Sequence, residues 1–494
     1  MVFIIGMFFS FCTFGQRCAT VYSSDKYTDS KVEEIERFLK ISTKTTKISG
    51  AIYIPTVIHI VYNSSSQNIS IDQIKSQICI LNKDYSRQNS DRNLTPEEFL
   101  DEASNPNIQF FLAQTDPNGN PTNGITRTNT SKTSFTSNDE VKFSSTGGKS
   151  AWPTNKYLNI WVCNLSGGLL GYAQFPWDYS NKPETDGIVV DYESFGNQGT
   201  AEPPFDLGRT CTHEIGHWLG LIHIWGDDNG SCDGSDNVYD TPNQADHYGG
   251  FCPTGAKSSC DSHDMYMNYM DYTNDACMNL FTAGQRNVMR NNFNSGEYRD
   301  NFDILNPFIS GSTPLCNSSN TYTLQKFPSG NSVTWSATPS HLFTNNDDTS
   351  STFITAWDGT GVGTGTITAT LTGDCGSVAI TKNIWVGRPQ FTITGTDELY
   401  PKAIGFAALC EYGTTNPIMV GGENDPGITN VQWSYSGPLD YITGETGINY
   451  RAKYAAGLTS GQGLIYADAT NACGSVENNM YYSVEGWLRL FPNP

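Results

Sequence analysis

The chain has 494 residues, with 29 Lys and Arg against 50 Asp and Glu, so its formal net charge at pH 7 is −21. This excess of negative charge argues against nucleic acid or an anionic membrane as a partner. Thirteen cysteines indicate an oxidising compartment, and no segment after the N-terminus approaches the length of a membrane span. These features are typical of an exported protein, and they indicate nothing about its oligomeric state.

The first fifty residues divide into two predicted segments. Residues 2–14 are nearly all apolar over a length typical of a signal peptide, and Gly15 is a small residue suited to cleavage. No Lys or Arg precedes this run, which departs from the usual pattern. We predict a signal peptide over residues 1–15 and a propeptide over residues 16–50, with exposed basic cleavage points at Lys44 and Lys47.

Residues 51–305 alternate between strand and helix patterns, as in an α/β domain. Strongly β-forming residues predict a strand over 52–62, and apolar residues at helical spacing predict a helix over 71–88. His59, inside the first strand, is interpreted as a packed core residue. Further strands are predicted over 108–113, 157–163 and 187–191, and a closing helix is predicted from Thr282.

The eleven residues from His213 to His223 read H-E-x-x-H-x-x-G-x-x-H. Residues four apart share one face of a helix, so His213 and His217 can direct their imidazoles at one ion. Gly220 in a left-handed conformation can end the helix and turn His223 back as a third ligand. Three imidazoles leave the fourth tetrahedral position for water, which is typical of a catalytic zinc, and Glu214 is then placed to act as general base.

This string is the extended zinc signature of the metzincin metallopeptidases. Downstream, the stretch Met-Asn-Tyr-Met270-Asp-Tyr272-Thr-Asn-Asp-Ala-Cys277 resembles the Met-turn of the pappalysin family, in which a methionine lies beneath the zinc. The family's spacing selects Met270 and implies that Tyr272 helps to hold the oxyanion. The resemblance covers about residues 50 to 305 and includes the segment 157–176, which is similar to the family's substrate-binding edge strand.

Four cysteines lie in a polar segment after the zinc motif, at positions 232, 252, 260 and 277. The residues alone permit three pairings. The resemblance to the pappalysins implies Cys232–Cys260 and Cys252–Cys277. The pairing of Cys79, Cys163 and Cys211 stays open.

The resemblance implies two further ligand sets. Family members bind calcium in the loop that here holds Asp236, Asp240 and Thr241, and the spacing from the first cysteine selects Asp236 and Thr241; oxygen ligands of this type suit calcium, although an Asp-rich loop can also be a solvated turn. The stretch Arg17-Cys18-Ala-Thr20 resembles the cysteine motif of pappalysin-type zymogens, so Cys18 is expected to cap the zinc, although an N-terminal cysteine can also be incidental.

Asp275 is expected to decide specificity. Pappalysins that prefer a basic residue after the scissile bond carry an aspartate two positions before the cysteine of the Met-turn disulfide, and Asp275 stands two before Cys277. A buried carboxylate favours Arg or Lys after the scissile bond, and Lys more weakly, because a guanidinium satisfies both oxygens whereas Lys offers one point charge. An exposed turn aspartate is the alternative.

After residue 305 the composition changes to Thr, Ser, Gly and Asn with short β runs. A repeated order of Cys, Trp and Cys predicts two immunoglobulin-like β-sandwiches, over 306–390 and 391–486, each with one sheet-to-sheet disulfide: Cys316–Cys375 and Cys410–Cys473. Residues 487–494 resemble the start of the C-terminal sorting domain of the type nine secretion system of Bacteroidetes bacteria.

We therefore expect an α/β (α+β) metzincin domain, with a twisted, mostly parallel sheet and a zinc helix, followed by two all-β sandwiches. The expected function is a zinc-dependent endopeptidase, with calcium as a structural ion, which acts on protein or peptide substrates and is secreted or held at the surface of a Gram-negative bacterium. The alternative is an adhesin or binding protein with a degenerate zinc domain. The intact Glu214 argues against that alternative.

Overall fold

The computed structural model describes residues 17–40, 48, 50–228 and 230–390, together with the segments 392–394, 418–421, 429–436, 439–441, 449–450, 452–454 and 461–484. The predicted signal peptide, the cleavage points Lys44 and Lys47, Cys410 and the predicted sorting segment lie outside the described residues. The chain divides into two compact units. The first contains the described residues up to Pro307 together with Lys326–Asn331 and Gly373–Gly376, and the second contains the remainder.

A six-stranded sheet forms the centre of the first unit. Its strands are β1 (Ile52–Tyr62), β2 (Ile108–Leu112), β3 (Ile125–Asn129), β4 (Leu158–Cys163), β5 (Gly171–Ala173) and β6 (Ile188–Asp191). The order is β2-β1-β4-β6-β5, and β3 pairs with the second half of β1. All pairings are parallel except that of β5 with β6. The short β5 is therefore an antiparallel strand at the edge of the sheet.

Four α-helices accompany this sheet: α1 (Asp29–Leu39), α2 (Ile71–Asp84), α3 (Arg209–Trp218) and α4 (Ala283–Asn291). Helix α2 ends four residues earlier than predicted, because Arg87 adopts a φ of 51°, which is incompatible with a right-handed helix. Two short antiparallel pairs complete the unit, Ala103–Ser104 with Phe281–Thr282 and Ser258–Ser259 with Ser262–His263. Among the residues described, none of the helices combines the length and the apolar character needed to cross a bilayer.

The central sheet is buried on both faces. Along β4, Ile160 and Val162 pack with the α2 and α3 side chains Ile74 and Ile215, whereas Trp161 belongs to a second apolar cluster with Phe135. Successive strand residues point to opposite faces, so a strand covered on both sides reads as a continuous apolar run. His59 is fully buried in β1, where it hydrogen-bonds to Thr126 and Asn159, and its role is structural.

The second unit is all-β, and its described strand pairs are antiparallel. Its first strands are Phe308–Ser310, Asn320–Gln325, Ser332–Thr338, Asp347–Asp348, Thr352–Thr355, Gly363–Gly373 and Gly376–Val386. The later ones are Thr392–Thr394, Ile418–Gly421, Asn430–Ser436, Leu439–Tyr441, Asn449–Tyr450, Ala452–Tyr454, Gly461–Asn471 and Gly474–Val484. The repeat seen in the sequence thus corresponds to two successive groups of sheets.

The predicted disulfides Cys316–Cys375 and Cys410–Cys473 are wrong. Cys375 is bonded to Cys79 of α2, and Cys316 is bonded to Cys473, with Cα–Cα distances of 4.6 and 5.0 Å. The reason is local: both Cys375 and Cys473 stand in the tight turn between two long strands. A cysteine in a hairpin turn does not face the interior between two sheets, where the predicted disulfides would have to lie. Trp335 and Phe353 are both buried, and their rings stack on each other.

Candidate active site

Helix α3 ends at Trp218, and Gly220 then turns the chain back, as the sequence predicts. Gly220 has a φ of +92°, its N–H donates to the carbonyl of His217 at 2.9 Å, and the N–H of Leu221 donates to the carbonyl of Gly216 at 2.9 Å. These two bonds form a Schellman motif, which closes a helix through a left-handed residue. The chain then turns back, so that His223 faces the helix it has just left.

The three histidines of the motif converge on one point. Their Nε2 atoms lie 3.1 to 3.3 Å apart, and all three side chains are fully buried. Each Nδ1 donates outward, from His213 to the carbonyl of Tyr269 at 2.7 Å, from His217 to that of Leu221 at 2.8 Å, and from His223 to a carboxylate at 2.6 Å. These bonds turn the Nε2 lone pairs toward the shared point. Burial lowers the pKa of His213 and His217, which favours the neutral form that binds metal.

Glu214 lies beside this cluster and is completely buried. Burial raises the pKa of its carboxyl group to about 8. Oε2 accepts from the Cys18 thiol at 3.3 Å and from the Thr20 hydroxyl at 3.4 Å, while Oε1 makes no hydrogen bond with a described residue. Gly171 of β5 must be a glycine, because a Cβ there would lie 2.9 Å from Glu214 Cγ.

The N-terminal segment runs along the edge of the sheet. Cys18 bridges Gly171 in parallel, and the N–H of Ala19 donates to the carbonyl of Gly171 at 3.1 Å. The N–H of Ala173 donates to the Thr20 hydroxyl at 2.7 Å. The Cys18 thiol is fully buried, and its Sγ joins the three imidazoles in one group whose ligand atoms all lie within 4.8 Å of one another. Three imidazoles and a thiol form a donor set that suits tetrahedral zinc.

Met270 packs against helix α3 at Gly216. Its side chain is fully buried, and a Cβ at Gly216 would collide with its sulfur. Tyr272 follows two residues later, and its hydroxyl donates to the Cys18 carbonyl at 3.2 Å. Its ring centroid lies 5.6 Å from that of His213 and 4.9 Å from that of His223.

Asp275 is fully buried next to the start of α3. Its Oδ2 accepts from the N–H groups of Leu207 and Arg209 at 3.0 and 3.1 Å, and its Oδ1 accepts from the Arg17 guanidinium at 2.9 Å. Arg17 also donates to the carbonyl of Thr273 at 2.5 Å. Both charged side chains are buried: the Asp275 side chain is 0% exposed and the Arg17 side chain is 2% exposed.

The loop between the zinc helix and the Met-turn contains a second cluster of oxygens. The Thr241 hydroxyl lies 2.7 Å from both oxygens of Asp236 and 2.8 Å from the carbonyl of Val238. The N–H of Val238 also donates to Asp236 Oδ1 at 3.0 Å. Burial raises the pKa of Asp236 to about 8. Asp240, in contrast, accepts from Thr282 and Gly284 at the start of α4.

The loop that carries these oxygens is cross-linked twice. Cys232 is bonded to Cys260 and Cys252 to Cys277, with Cα–Cα distances of 5.5 and 5.7 Å. Cys163 and Cys211 are buried thiols in the first unit.

Three contacts at the site were not predicted from the sequence: Asp227 with His223, Thr20 with Glu214, and Gly216 with Met270. For Asp227, the spacing offered a hint, because it stands four residues after a zinc-ligand candidate. The other two depend on segments that meet only in the folded chain.

Comparisons with known proteins agree on one family. A model of a peptidase family described as pregnancy-associated plasma protein-A matches residues 142–294. An extracellular metalloprotease of Arthroderma otae is 34% identical over 250 residues, which are 49% of this chain and 77% of that protein. The structure of a promirolysin variant of Tannerella forsythia is 49% identical and covers 58% of this chain and 97% of its own, with a TM-score of 0.55. Mature mirolysin of Tannerella forsythia with a cleaved peptide is 56% identical and covers 51% and 96%, with a TM-score of 0.51.

Proposed function

The chain belongs to the pappalysin-like family of metalloproteases, and on that premise we propose that it is a secreted, zinc-dependent endopeptidase with Glu214 as general base. The observation that carries the proposal is the convergence of three Nε2 atoms within 3.3 Å of one another beside a buried glutamate. An ion pair or a packed core does not require three imidazoles to face one point, whereas a metal does.

His213, His217 and His223 would hold the zinc. When bound, zinc supplies a Lewis acid that polarises a carbonyl and lowers the pKa of water. The histidines are supported by Nδ1 hydrogen bonds that hold the imidazoles in one tautomer.

Glu214 would accept the proton of the attacking water and pass it to the leaving amine. Its position supports this role, because its Oε2 faces the Cys18 thiol and would face solvent once that segment leaves. The Tyr272 hydroxyl would donate a hydrogen bond to the oxyanion, as it donates one to the Cys18 carbonyl here. The edge strand β5 would pair with the substrate backbone.

The segment from Arg17 to Thr20 would keep the enzyme latent. Cys18 would act as the fourth zinc ligand and would exclude water from that position. The segment runs parallel to β5, and its hydrogen bonds with β5 and Glu214 occupy the groups that a substrate would use. Removal of the propeptide, proposed as residues 16–50, would then expose the site.

Asp275 would select a basic residue on the C-terminal side of the scissile bond. This specificity is supported by Arg17, whose guanidinium forms an ion pair with the Asp275 carboxylate. The same charge would accept Arg best and Lys more weakly, since Lys carries a single point charge.

Calcium is proposed at Asp236 and Thr241, where both Asp236 oxygens and the Val238 carbonyl oxygen lie 2.7 to 2.8 Å from the buried Thr241 hydroxyl. Export is supported by the name of the relatives, which are extracellular metalloproteases.

We propose that the all-β unit has immunoglobulin-like sandwiches that serve as spacers or binding modules. We also propose that residues 487–494 begin a bacterial sorting domain.

The experiment that tests the function combines zinc analysis with a cleavage profile. The full chain is activated by limited proteolysis, its zinc is measured, and its cleavage of a peptide library is compared with and without a zinc chelator. We expect one zinc per chain and cleavage before Arg that the chelator removes. Cleavage that persists in a zinc-free chain, or a zinc-loaded activated chain without hydrolysis, would contradict the proposal.

A further inference from the structure

One contact at the metal centre has a second partner that the proposed function does not use. The carboxylate of Asp227 accepts from His223 Nδ1 at 2.6 Å through Oδ1, and from the backbone N–H of Tyr22 at 3.1 Å through Oδ2. The side chain is 6% exposed. A single carboxylate therefore touches both a histidine of the metal centre and the N-terminal segment.

The three histidines are not supported in the same way. His213 and His217 donate to backbone carbonyls, whose positions are set by the fold itself. Among the three, His223 alone donates to a side chain. Its ring lies after the helix, in a loop, where a partner is needed to hold the ring in place.

The backbone around Asp227 is shaped for this contact. The N–H of Gly226 donates to the carbonyl of His223 at 2.9 Å, and Gly226 and Asp227 have φ values of 71° and 55°. A left-handed conformation is uncommon for a residue other than glycine, and such conformations persist where the surroundings require them. Here the turn brings the carboxylate back to the imidazole four residues earlier.

We propose that Asp227 is a positioning residue with two separate contacts, one that serves zinc retention and one that serves latency. One oxygen holds His223 as a ligand, and the other anchors the propeptide at Tyr22. Release of the propeptide would free the second oxygen without disturbing the first. The inference rests on the proposed zinc site at His213, His217 and His223.

The first experiment measures zinc retained by the full chain after dialysis against increasing chelator concentrations. We expect Asp227→Ala to lose half of its zinc at a chelator concentration roughly 10- to 100-fold lower than the unmutated chain, as is usual for a lost partner of a metal ligand. Asp227→Asn is expected to lie between them, because its amide has one acceptor oxygen. The matched control is Asp228→Ala, since Asp228 caps its own loop and contacts Gly234 and Ser231.

The outcomes separate two failures. Equal zinc retention by Asp227→Ala and Asp228→Ala would overturn the positioning role alone. An unmutated chain that binds no zinc would instead overturn the zinc site on which the inference rests.

The second experiment tests the anchor at Tyr22 by a readout other than activity. Proline lacks the N–H that donates to Asp227, whereas alanine keeps it, so Tyr22→Pro is compared with Tyr22→Ala. We expect a thiol reagent to label Cys18 in the full chain roughly tenfold faster in the proline variant, the change expected for a hydrogen bond to a charged group. Matching Cys18→Ser chains give the background from all other cysteines, and zinc retention is expected to be equal in the two Tyr22 variants. Equal labelling rates would overturn the anchoring role.

Discussion

Arg17 donates to the carboxylate of Asp275 at 2.9 Å across 258 positions of sequence, and both side chains are buried. A buried charge is costly without its partner, so each residue accounts for the burial of the other. Under the proposed function, the propeptide places an arginine where a substrate would place one. Latency and specificity would then depend on the same carboxylate.

The first prediction concerns this pocket. Asp275→Asn should lower kcat/KM for peptides with Arg after the scissile bond by roughly 10- to 100-fold, because a hydrogen bond to a charged group is lost. The asparagine keeps an acceptor for the N–H groups of Leu207 and Arg209, so the start of α3 stays intact. Peptides with Leu at that position serve as control, and their hydrolysis should change little. An unmutated enzyme that prefers apolar residues after the scissile bond would refute the pocket.

The second prediction concerns the general base. Glu214→Ala should lower kcat by at least about 100-fold while the chain still binds one zinc, since the residue moves a proton and does not ligate the ion. Glu214→Gln, which keeps the size of the side chain, should behave in the same way. Metal analysis and peptide hydrolysis check both points. Loss of zinc from the alanine variant would make Glu214 a ligand.

The third prediction concerns latency. Cys18→Ala should show activity before cleavage or mature faster than the unmutated precursor, because the fourth zinc position would hold water from the start. Cys18→Ser is the matched control of similar size, and we expect it to be only slightly less active than the alanine variant. Activation is followed by hydrolysis of an Arg peptide and by gel analysis of the precursor. Identical time courses for precursor and variant would count against Cys18 as a zinc cap.

The fourth prediction concerns calcium and pH. The pKa of Asp236 is raised by burial to about 8, above its ordinary value of 3.8, so without a cation the folded chain disfavours the charged form. Between these two values the unfolded chain ionises and the folded chain does not, so stability is lost as pH rises from about 4 to about 8. Calcium should oppose that loss, and the melting temperature gained on adding calcium should grow over the same interval. Asp236→Asn should remove the dependence, and melting curves unchanged by calcium at pH 8 would defeat the assignment.

Local patterns account for the parts of the site that lie within one segment. Helical spacing from His213 to His217 placed two imidazoles on one face, and Gly220 adopts the left-handed turn expected of it. Strands β1, β2, β4 and β6 were predictable because a buried parallel strand must be apolar on both faces. Strand β3 was not predicted, because it is polar and partly exposed. Helix α2 was predicted too long, since its end depends on the turn at Arg87.

The disulfides between distant segments were not predictable from the sequence repeat. The cysteines of the β repeat predicted two local disulfides, but both Cys375 and Cys473 lie in hairpin turns and are bonded to Cys79 and Cys316 instead. A repeat in sequence specifies where a residue stands in its own module, whereas a disulfide requires two Cβ atoms to meet in space.

By itself, the amino-acid sequence determined the three histidines that converge, the glycine that turns the chain back to them and the adjacent glutamate, because these depend on local spacing over eleven residues. Only the tertiary structure decided that Arg17 lies on Asp275, that Thr20 lies on Glu214 and that Asp227 joins His223 to Tyr22. The physical reason is that a hydrogen bond or ion pair acts over about 3 Å. Which distant segments approach so closely is set by the packing of the whole sheet and its helices.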